Sequence, residues 1–318
     1  MTPNFFAELT RTPQPLNLGR GAVLLFGEVL ADRFPDRTVL GGAPFNVARH
    51  LKAFGQQPIL ITRVGNDELR DEILRVMNEA GMETLGVQCN NSYPTGQVNV
   101  HIEDGAHRFE ILPMQAYDFI HPGVARMAAL SVEPVLVYFG TLAQRHDISR
   151  RALKGLLRST SAVRFLDINL RSPWYDQPGL ERSLKQAAIV KLNDAELVEL
   201  TAMFGLQGGD DLACIRDLMA RFDLEQVMVT CGEKGAWHVG REGSRIVVGV
   251  AEPVDILVDT VGAGDGFAAV CILGALLGWQ IEGTLRRANA FASALCGIRG
   301  AIPKDVGFYQ KFTEEWGI

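Results

Sequence analysis

From residue 22 onward, short apolar runs alternate with stretches whose apolar positions recur every three or four residues, the rhythm of buried strands feeding amphipathic helices. The first run, 22–26, ends at Gly27 and predicts a strand covered on both faces. Residues 28–37 break the rhythm: Asp32, Arg33, Asp36 and Arg37 interleave with apolar residues, as in an exposed strand or flap. At Gly41-Gly42-Ala43-Pro44 the chain turns. Pro44 suits the first position of a helix, and Phe45, Ala48, Leu51 and Phe54 share one face up to Gly55. A strand over 59–64 and a helix over 68–80, stopped by Gly81, follow, and this alternation predicts parallel β-α units.

Residues 95–102 and 108–112 flank Asp104-Gly105, a hairpin signal, and Gln97, Asn99 and His101 alternate with Val98, Val100 and Ile102, so one face is wet. With 28–37 this hairpin predicts a small sheet standing off the main one, suited to a lid or a dimer contact. The β-α rhythm then resumes, with strands over 135–139, 163–168, 189–192 and 227–230 and helices over 148–157, 180–187, 195–204 and 212–222. A turn at 232–235, strands near Trp237 and over 246–250, and two closing helices, 267–277 and 282–298, complete the pattern. The expected fold class is α/β: a doubly wound, mostly parallel central sheet over 21–318, with lid segments 28–40 and 94–113 and a loose Pro-containing leader over 1–20.

Composition narrows the classes. With 318 residues, 47 % of them hydrophobic, the chain can bury a sizeable core. A formal charge of −6 with no basic stripe argues against nucleic acid as a main partner. The five cysteines contain no C-x-x-C pair, so neither a zinc knuckle nor a disulfide framework is expected, and a reducing cytoplasm fits best. The longest apolar run, 267–279, is too short to span a bilayer, and residues 1–20 lack a secretory signal core, so no membrane partner is expected.

The chemistry concentrates at Asp259-Thr260-Val261-Gly262-Ala263-Gly264-Asp265. Small residues at 262–264 permit a tight turn, and a Gly-rich turn opening a helix presents unpaired N–H groups at the positive end of the dipole, which is an anion site. A carboxylate there is awkward for binding alone, but sensible if Asp265 takes a proton from a group attacking a phosphate. The ordinary reading of Asp265, an acid complementing the dipole, is the less favoured one. There is no G-x-x-x-x-G-K-[ST] loop, no H-E-x-x-H and no G-x-S-x-G. Gly264, Gly266 and Ala269 satisfy G-x-G-x-x-A with Glu282 beyond, but a dinucleotide fold needs a strand ending near that acid, and Glu282 opens a helical segment.

Three further turns bring polar groups to strand ends, where open parallel sheets put ligands. They are Asp167-Ile168-Asn169-Leu170-Arg171, Lys191-Leu192-Asn193-Asp194-Ala195-Glu196, and Thr230-Cys231-Gly232-Glu233-Lys234-Gly235. Taken singly, Asn193 reads as a helix cap, Glu196 as its capping-box partner, Arg171 as a surface ion pair, Gly41-Gly42 as a turn and Asn46 as a surface amide. Their shared position favours function.

These residues resemble the PfkB carbohydrate kinases, also called the ribokinase family. The resemblance rests on Gly41-Gly42-Ala43-Pro44-Phe45-Asn46-Val47-Ala48 and Asp259 to Asp265, and extends to Gly27-Glu28 with Asp32, Pro94-Thr95-Gly96, Asp167 to Arg171, Asn193-x-x-Glu196, Gly232-x-x-Gly235 and Gly300-Ala301-Ile302-Pro303. The wording of the first motif and of Asp-x-Asn-x-Arg is most similar to the fructokinase branch. The resemblance implies a ribokinase-like sheet of nine strands or so with a β lid, ATP and Mg²⁺ as cosubstrates, and often a stimulating K⁺. It implies Asp265 as the base for the sugar hydroxyl and the amides of Ala263, Gly264 and Asp265, in the turn begun by Gly262, as the anion hole. Asp32, Gly41, Gly42, Asn46, Asn169 and Arg171 would hold the sugar. Asn193 and Glu196 would organise Mg²⁺ and phosphates through water, and Thr230, Gly232, Gly235 and Asn289 would line the ATP site. Asp259, Gly300 and Ala301 fall where the family's monovalent-cation loops lie.

Two departures from the family pattern carry expectations. Gly266 replaces a small residue with a Cβ, which loosens the helix start, and Phe45 replaces a small residue after the proline, where it would crowd or reshape the sugar pocket. Fructose is the first candidate substrate, with ribose, 2-keto-3-deoxygluconate, a nucleoside or a phosphosugar as alternatives. A sugar-sensing homologue without turnover is the rival of another class, and a dinucleotide enzyme the third reading. A homodimer formed through the lid sheet would cover its open edges.

Overall fold

Four apolar residues without a polar interruption must be covered on both faces, and Val23–Phe26 (β1) lies inside a nine-stranded sheet with each residue at most 1 % exposed. The computed structural model describes residues 16–318 except 104–105, 242–244, 251–256 and 306. The first half contains β2 Leu30–Arg33, β3 Thr38–Gly41, α1 Ala43–Ala53, β4 Pro58–Gly65, α2 Glu68–Glu79, β5 Val87–Asn90, β6 Gly96–Glu103, β7 Ala106–Ile111, α3 Pro122–Val132, β8 Leu136–Phe139 and α4 Asp147–Leu157. The second contains β9 Val163–Asp167, α5 Gln177–Leu184, β10 Ile189–Asn193, α6 Asp194–Phe204, α7 Asp211–Phe222, β11 Gln226–Thr230, β12 Ala236–Gly240, β13 Arg245–Val248, α8 Ala263–Leu277, α9 Ile281–Cys296 and α10 Gly307–Trp316.

The large sheet runs β13-β12-β11-β10-β9-β8-β1-β4-β5, parallel except for β12 and β13. Alternation along each strand splits the core in two. Leu24 and Phe26 face one cluster with Leu153, Leu180, Leu200 and Leu218, while Val23 and Leu25 face another with Leu51, Phe267, Phe291 and Phe312. Helices therefore cover both faces, as the doubly wound expectation requires.

A second sheet, β3-β2-β6-β7, pairs β2 parallel to β6 and is otherwise antiparallel. This is the second, small sheet that the sequence leads one to expect; the turn Asp104-Gly105 lies outside the described residues.

Other differences have local causes. The last closing helix of the sequence reading is followed by α10, which brings Tyr309, Phe312 and Trp316 onto the core, and α3 and β5 were not expected. Helix α8 begins at Ala263 rather than at residue 267, so the glycine turn is the first turn of the helix itself. Residues 1–15 lie outside the described residues; Leu16 and Leu18 pack against the core, and the Leu18 N–H donates to Ala275 O at 2.9 Å. Phe45 is fully buried in the core, in the same cluster as Val47, Ala48 and Leu51. Gly266 does not loosen a helix start. A Cβ there would stand 2.3 Å from Leu295 Cδ1, so the glycine permits the close contact of α8 with α9.

Candidate active site

Strands β11, β10, β9, β8 and β1 are consecutive parallel neighbours, so the turns after them open on one edge of the sheet. Helix α8 starts there. Its N-cap, Gly262, has φ 81°, and a Cβ would stand 2.3 Å from Ala301 Cβ, a position only glycine fills. The first helical bond runs from Gly266 N–H to Gly262 O at 2.8 Å, and Ala263 N–H leans on Thr260 O at 3.3 Å. The amides of Gly264 and Asp265 therefore have no acceptor within the helix.

Helix α1 starts from the other glycine turn. Gly42 has φ 107°, and a Cβ would meet Glu28 O at 2.7 Å. One turn in, the buried Asn46 donates from Nδ2 to Asp265 Oδ2 at 2.8 Å. Burial pushes the Asp265 carboxyl up, and the Asn46 hydrogen bond opposes it.

The turn after β9 is tied to the turn after β10. Glu196 accepts Leu170 N–H at Oε1 and Asn193 N–H at Oε2, both at 2.8 Å, while Asn193 Oδ1 accepts Glu196 N–H at 2.8 Å. The capping box read from the sequence is real, and it also clamps the Asn169–Arg171 loop. Asn169 holds φ 40°, a left-handed conformation that asparagine tolerates better than most residues. Beneath this loop Lys191 Nζ meets Asp167 Oδ1 at 2.9 Å and Oδ2 at 3.0 Å, and the Tyr138 hydroxyl donates to Asp167 Oδ2 at 3.1 Å.

The small sheet contributes Asp32, on β2 opposite Val39 and Val98, and a Cβ on Gly41 would stand 3.4 Å from its Oδ2. Burial raises the Asp32 carboxyl to about 6, with Arg171 opposing. The exposed Arg171 donates to Leu170 O at 3.2 Å, and its charge also acts on Glu28 and Asp265. Glu28 was given no role by sequence reasoning. It is 4 % exposed, burial pushes its carboxyl up to about 7, and Oε2 has no hydrogen-bond partner among the described residues. Lys191 was equally unassigned, although a lysine inside an apolar strand is a legible signal.

Farther along the edge, Thr230 Oγ1 lies 3.5 Å from Leu192 O. Gly235 and Asn289 meet at one carbonyl: a Cβ on Gly235 would stand 2.2 Å from Val248 O, and Asn289 Nδ2 donates to Val248 O and Gly249 O at 3.3 Å. Gly232 is exposed in the turn before them. Asp259 accepts Val261 N–H at Oδ1 and Gly300 N–H at Oδ2, both at 3.0 Å, so Asp259, Gly300 and Ala301 close around the start of α8. Among the described residues there is no group of three or more His, Cys, Asp or Glu side chains able to hold a metal, and no helix is long and apolar enough to cross a membrane.

The structure thus combines a doubly wound sheet, a second small sheet, and an acid within the first turn of a helix that opens on a glycine turn. Residues 27–306 match the model of the pfkB family carbohydrate kinases, and the chain belongs to that family. It is 26 % identical over 281 residues to a fructokinase of Klebsiella pneumoniae, covering 80 % of this chain and 84 % of that protein. It is 25 % identical over 268 residues to a 2-dehydro-3-deoxygluconokinase of Bacillus subtilis, covering 80 % and 79 %. A fructokinase from Xylella fastidiosa, solved with bound ATP, shares the fold with a TM-score of 0.79 at 21 % identity, over 93 % of this chain and 99 % of that one. The family expected from the motifs, and its fructokinase-like branch, are borne out.

Proposed function

We propose that this sugar kinase transfers the γ-phosphoryl group of ATP to a hydroxyl of a small sugar, fructose first, with Asp265 as general base. The observation that carries the reading is the 2.8 Å bond from Asn46 to Asp265 Oδ2, which aims the carboxylate and leaves Oδ1 to receive a proton. Asp32, Gly41, Gly42, Asn46, Asn169 and Arg171 hold the sugar. As its hydroxyl oxygen bonds to the γ-phosphorus, the proton passes to Asp265 and the bond to the departing ADP oxygen breaks. The amides of Ala263, Gly264 and Asp265, at the turn of Gly262, meet the charge on the phosphoryl oxygens; losing one comparable donor costs roughly 3 to 4 kcal/mol. The lid over the sugar keeps water from competing.

Thr230, Gly232, Gly235 and Asn289 line the nucleotide. Each Glu196 oxygen accepts one amide and keeps a lone pair for water, which fits an ion held by phosphates and water rather than by a protein cage. Asn193 and Glu196 would hold Mg²⁺ in that way, and a bound Mg²⁺ neutralises phosphate charge. Asp259, Gly300 and Ala301 are assigned to a monovalent cation such as K⁺. The five cysteines are free, consistent with a reducing cytoplasm, and the lid sheet, with edge strands β3 and β7, is the assigned homodimer contact.

The second reading is 2-keto-3-deoxygluconate, supported by a relative of nearly equal identity. The deciding experiment follows ADP release on a panel of fructose, 2-keto-3-deoxygluconate, ribose and nucleosides with ATP. Fructose with the highest kcat/KM is the expected result, another winner replaces the substrate, and no sugar-dependent ADP with any of them overturns these substrate assignments.

A further inference from the structure

Lys191 has no part in the reaction as set out above, and its position is a poor choice for a residue that only packs. It interrupts the apolar strand β10 with a side chain 8 % exposed, facing an Asp167 side chain 1 % exposed. Buried ion pairs are often no better for stability than apolar residues of the same size. The location adds a second penalty. Lys191 Nζ lies 3.4 Å from where a Cβ on Gly264 would stand, beside the second residue of α8. An ammonium at the positive end of a helix places like charge beside like. Asp167 cancels part of this, and the Tyr138 hydroxyl pins Asp167 so that the ammonium stays under the turn. Glu196 and Asp265 also lie within its field. Two sources of positive potential, focused on one turn, suit a centre that must receive the charge of phosphoryl oxygens.

We propose that Lys191 is a positioning residue for the transfer: its ammonium, held by Asp167 beneath Gly264, fixes the first turn of α8 and keeps a positive charge behind the amides as the phosphoryl group passes. The inference rests on the reading of Asp265 as base and of the glycine turn as anion hole.

The test is steady-state kinetics, with fructose and ATP or the panel's best substrate, on Lys191→Met/Asp167→Leu, which replaces the pair by apolar groups. The expected variant melts cooperatively near the parent temperature, keeps both KM values within about three-fold and loses kcat by about thirty-fold or more. If it does not fold, Lys191→Gln, which keeps a hydrogen bond to Asp167 without the charge, is expected to show the same split, with Lys191→Arg recovering part of kcat. A folded neutral variant with parental kcat overturns the inference. Asp265→Asn, measured alongside, separates the two claims. Turnover retained there removes the base, whereas an inactive Asp265→Asn beside a fully active Lys191→Gln removes only the role of Lys191.

Discussion

The side-chain amide of Asn46 donates to Oδ2 of Asp265 at 2.8 Å, so the first turns of α1 and α8, 219 positions apart in sequence, meet at one carboxylate. Each helix begins at a glycine with positive φ, and each glycine is closed in by other backbone or small side chains. The two glycine turns therefore stand on either side of one carboxylate.

Asp265→Asn keeps the shape and removes the proton acceptor. Turnover is expected to fall by roughly 10² to 10⁴-fold, the usual range for general-base catalysis, with sugar binding by calorimetry little changed. A kcat within a few-fold of the parent would remove Asp265 from the chemistry.

Gly266→Ala tests packing behind the site. Its Cβ would stand 2.3 Å from Leu295 Cδ1 and 3.1 Å from Phe291 Cε1. Overpacking of this kind costs about 1 to 3 kcal/mol, a lowering of the melting temperature by several degrees at this chain length. An unchanged melting curve would show that α9 yields without strain.

The buried pair of Arg145 and Asp118 gives a larger effect. Arg145 Nε meets Asp118 Oδ1 at 2.7 Å and Nη2 meets Oδ2 at 2.8 Å, with the guanidinium 4.4 Å from the Trp174 ring centroid. Asp118→Ala leaves that cation buried without its partner, and urea unfolding is expected to register a loss of about 3 to 5 kcal/mol. Arg145→Met/Asp118→Leu should recover most of it. A double variant as unstable as the single one contradicts this account.

How much of this was legible in the sequence depends on the range of the interaction. Gly41 to Ala48 and Asp259 to Asp265 could be read as turns feeding helices because turn chemistry is local, and the capping box of Asn193 and Glu196 is local too. Helix α3 escaped because Val124, Met127 and Leu130 point outward, at 38 %, 71 % and 56 % exposure, and blur the apolar stripe. Helix α10 carries its apolar stripe in Tyr309, Phe312 and Trp316, a signal legible in the sequence. The partners of Lys191, Gly266 and Glu28 lie on other elements, and one sequence does not say which element packs on which.

Glu28 should make stability depend on pH. Its carboxyl is raised by burial to about 7, so the folded protein keeps a proton that the unfolded chain gives up at lower pH. The sign follows: its contribution is fully present below the unfolded value of about 4.5, and is lost as pH rises through about 7. The span corresponds to roughly 3 kcal/mol. Melting temperatures of the parent should decline from pH 5 to 8 relative to Glu28→Gln. Parallel curves would mean that Glu28 is ionised throughout or titrates alike in both states.

Asp32 gives the complementary prediction, because it is assigned to hold the sugar rather than to move a proton. Its carboxyl is raised to about 6, by burial first and with Arg171 opposing. An ionised Asp32 accepts hydrogen bonds from sugar hydroxyls at both oxygens, whereas the protonated form must give one of them up. The sugar KM of the parent should therefore rise as pH falls through about 6, separately from any change in kcat carried by Asp265. Asp32→Asn should show the raised KM, by roughly ten-fold for one lost charge-assisted bond, at every pH, and no acid limb in KM. If Asp32→Asn keeps the parent's sugar KM at every pH, Asp32 is not a sugar ligand. If both limbs vanish together in Asp32→Asn, the residue acts on the base rather than on the sugar.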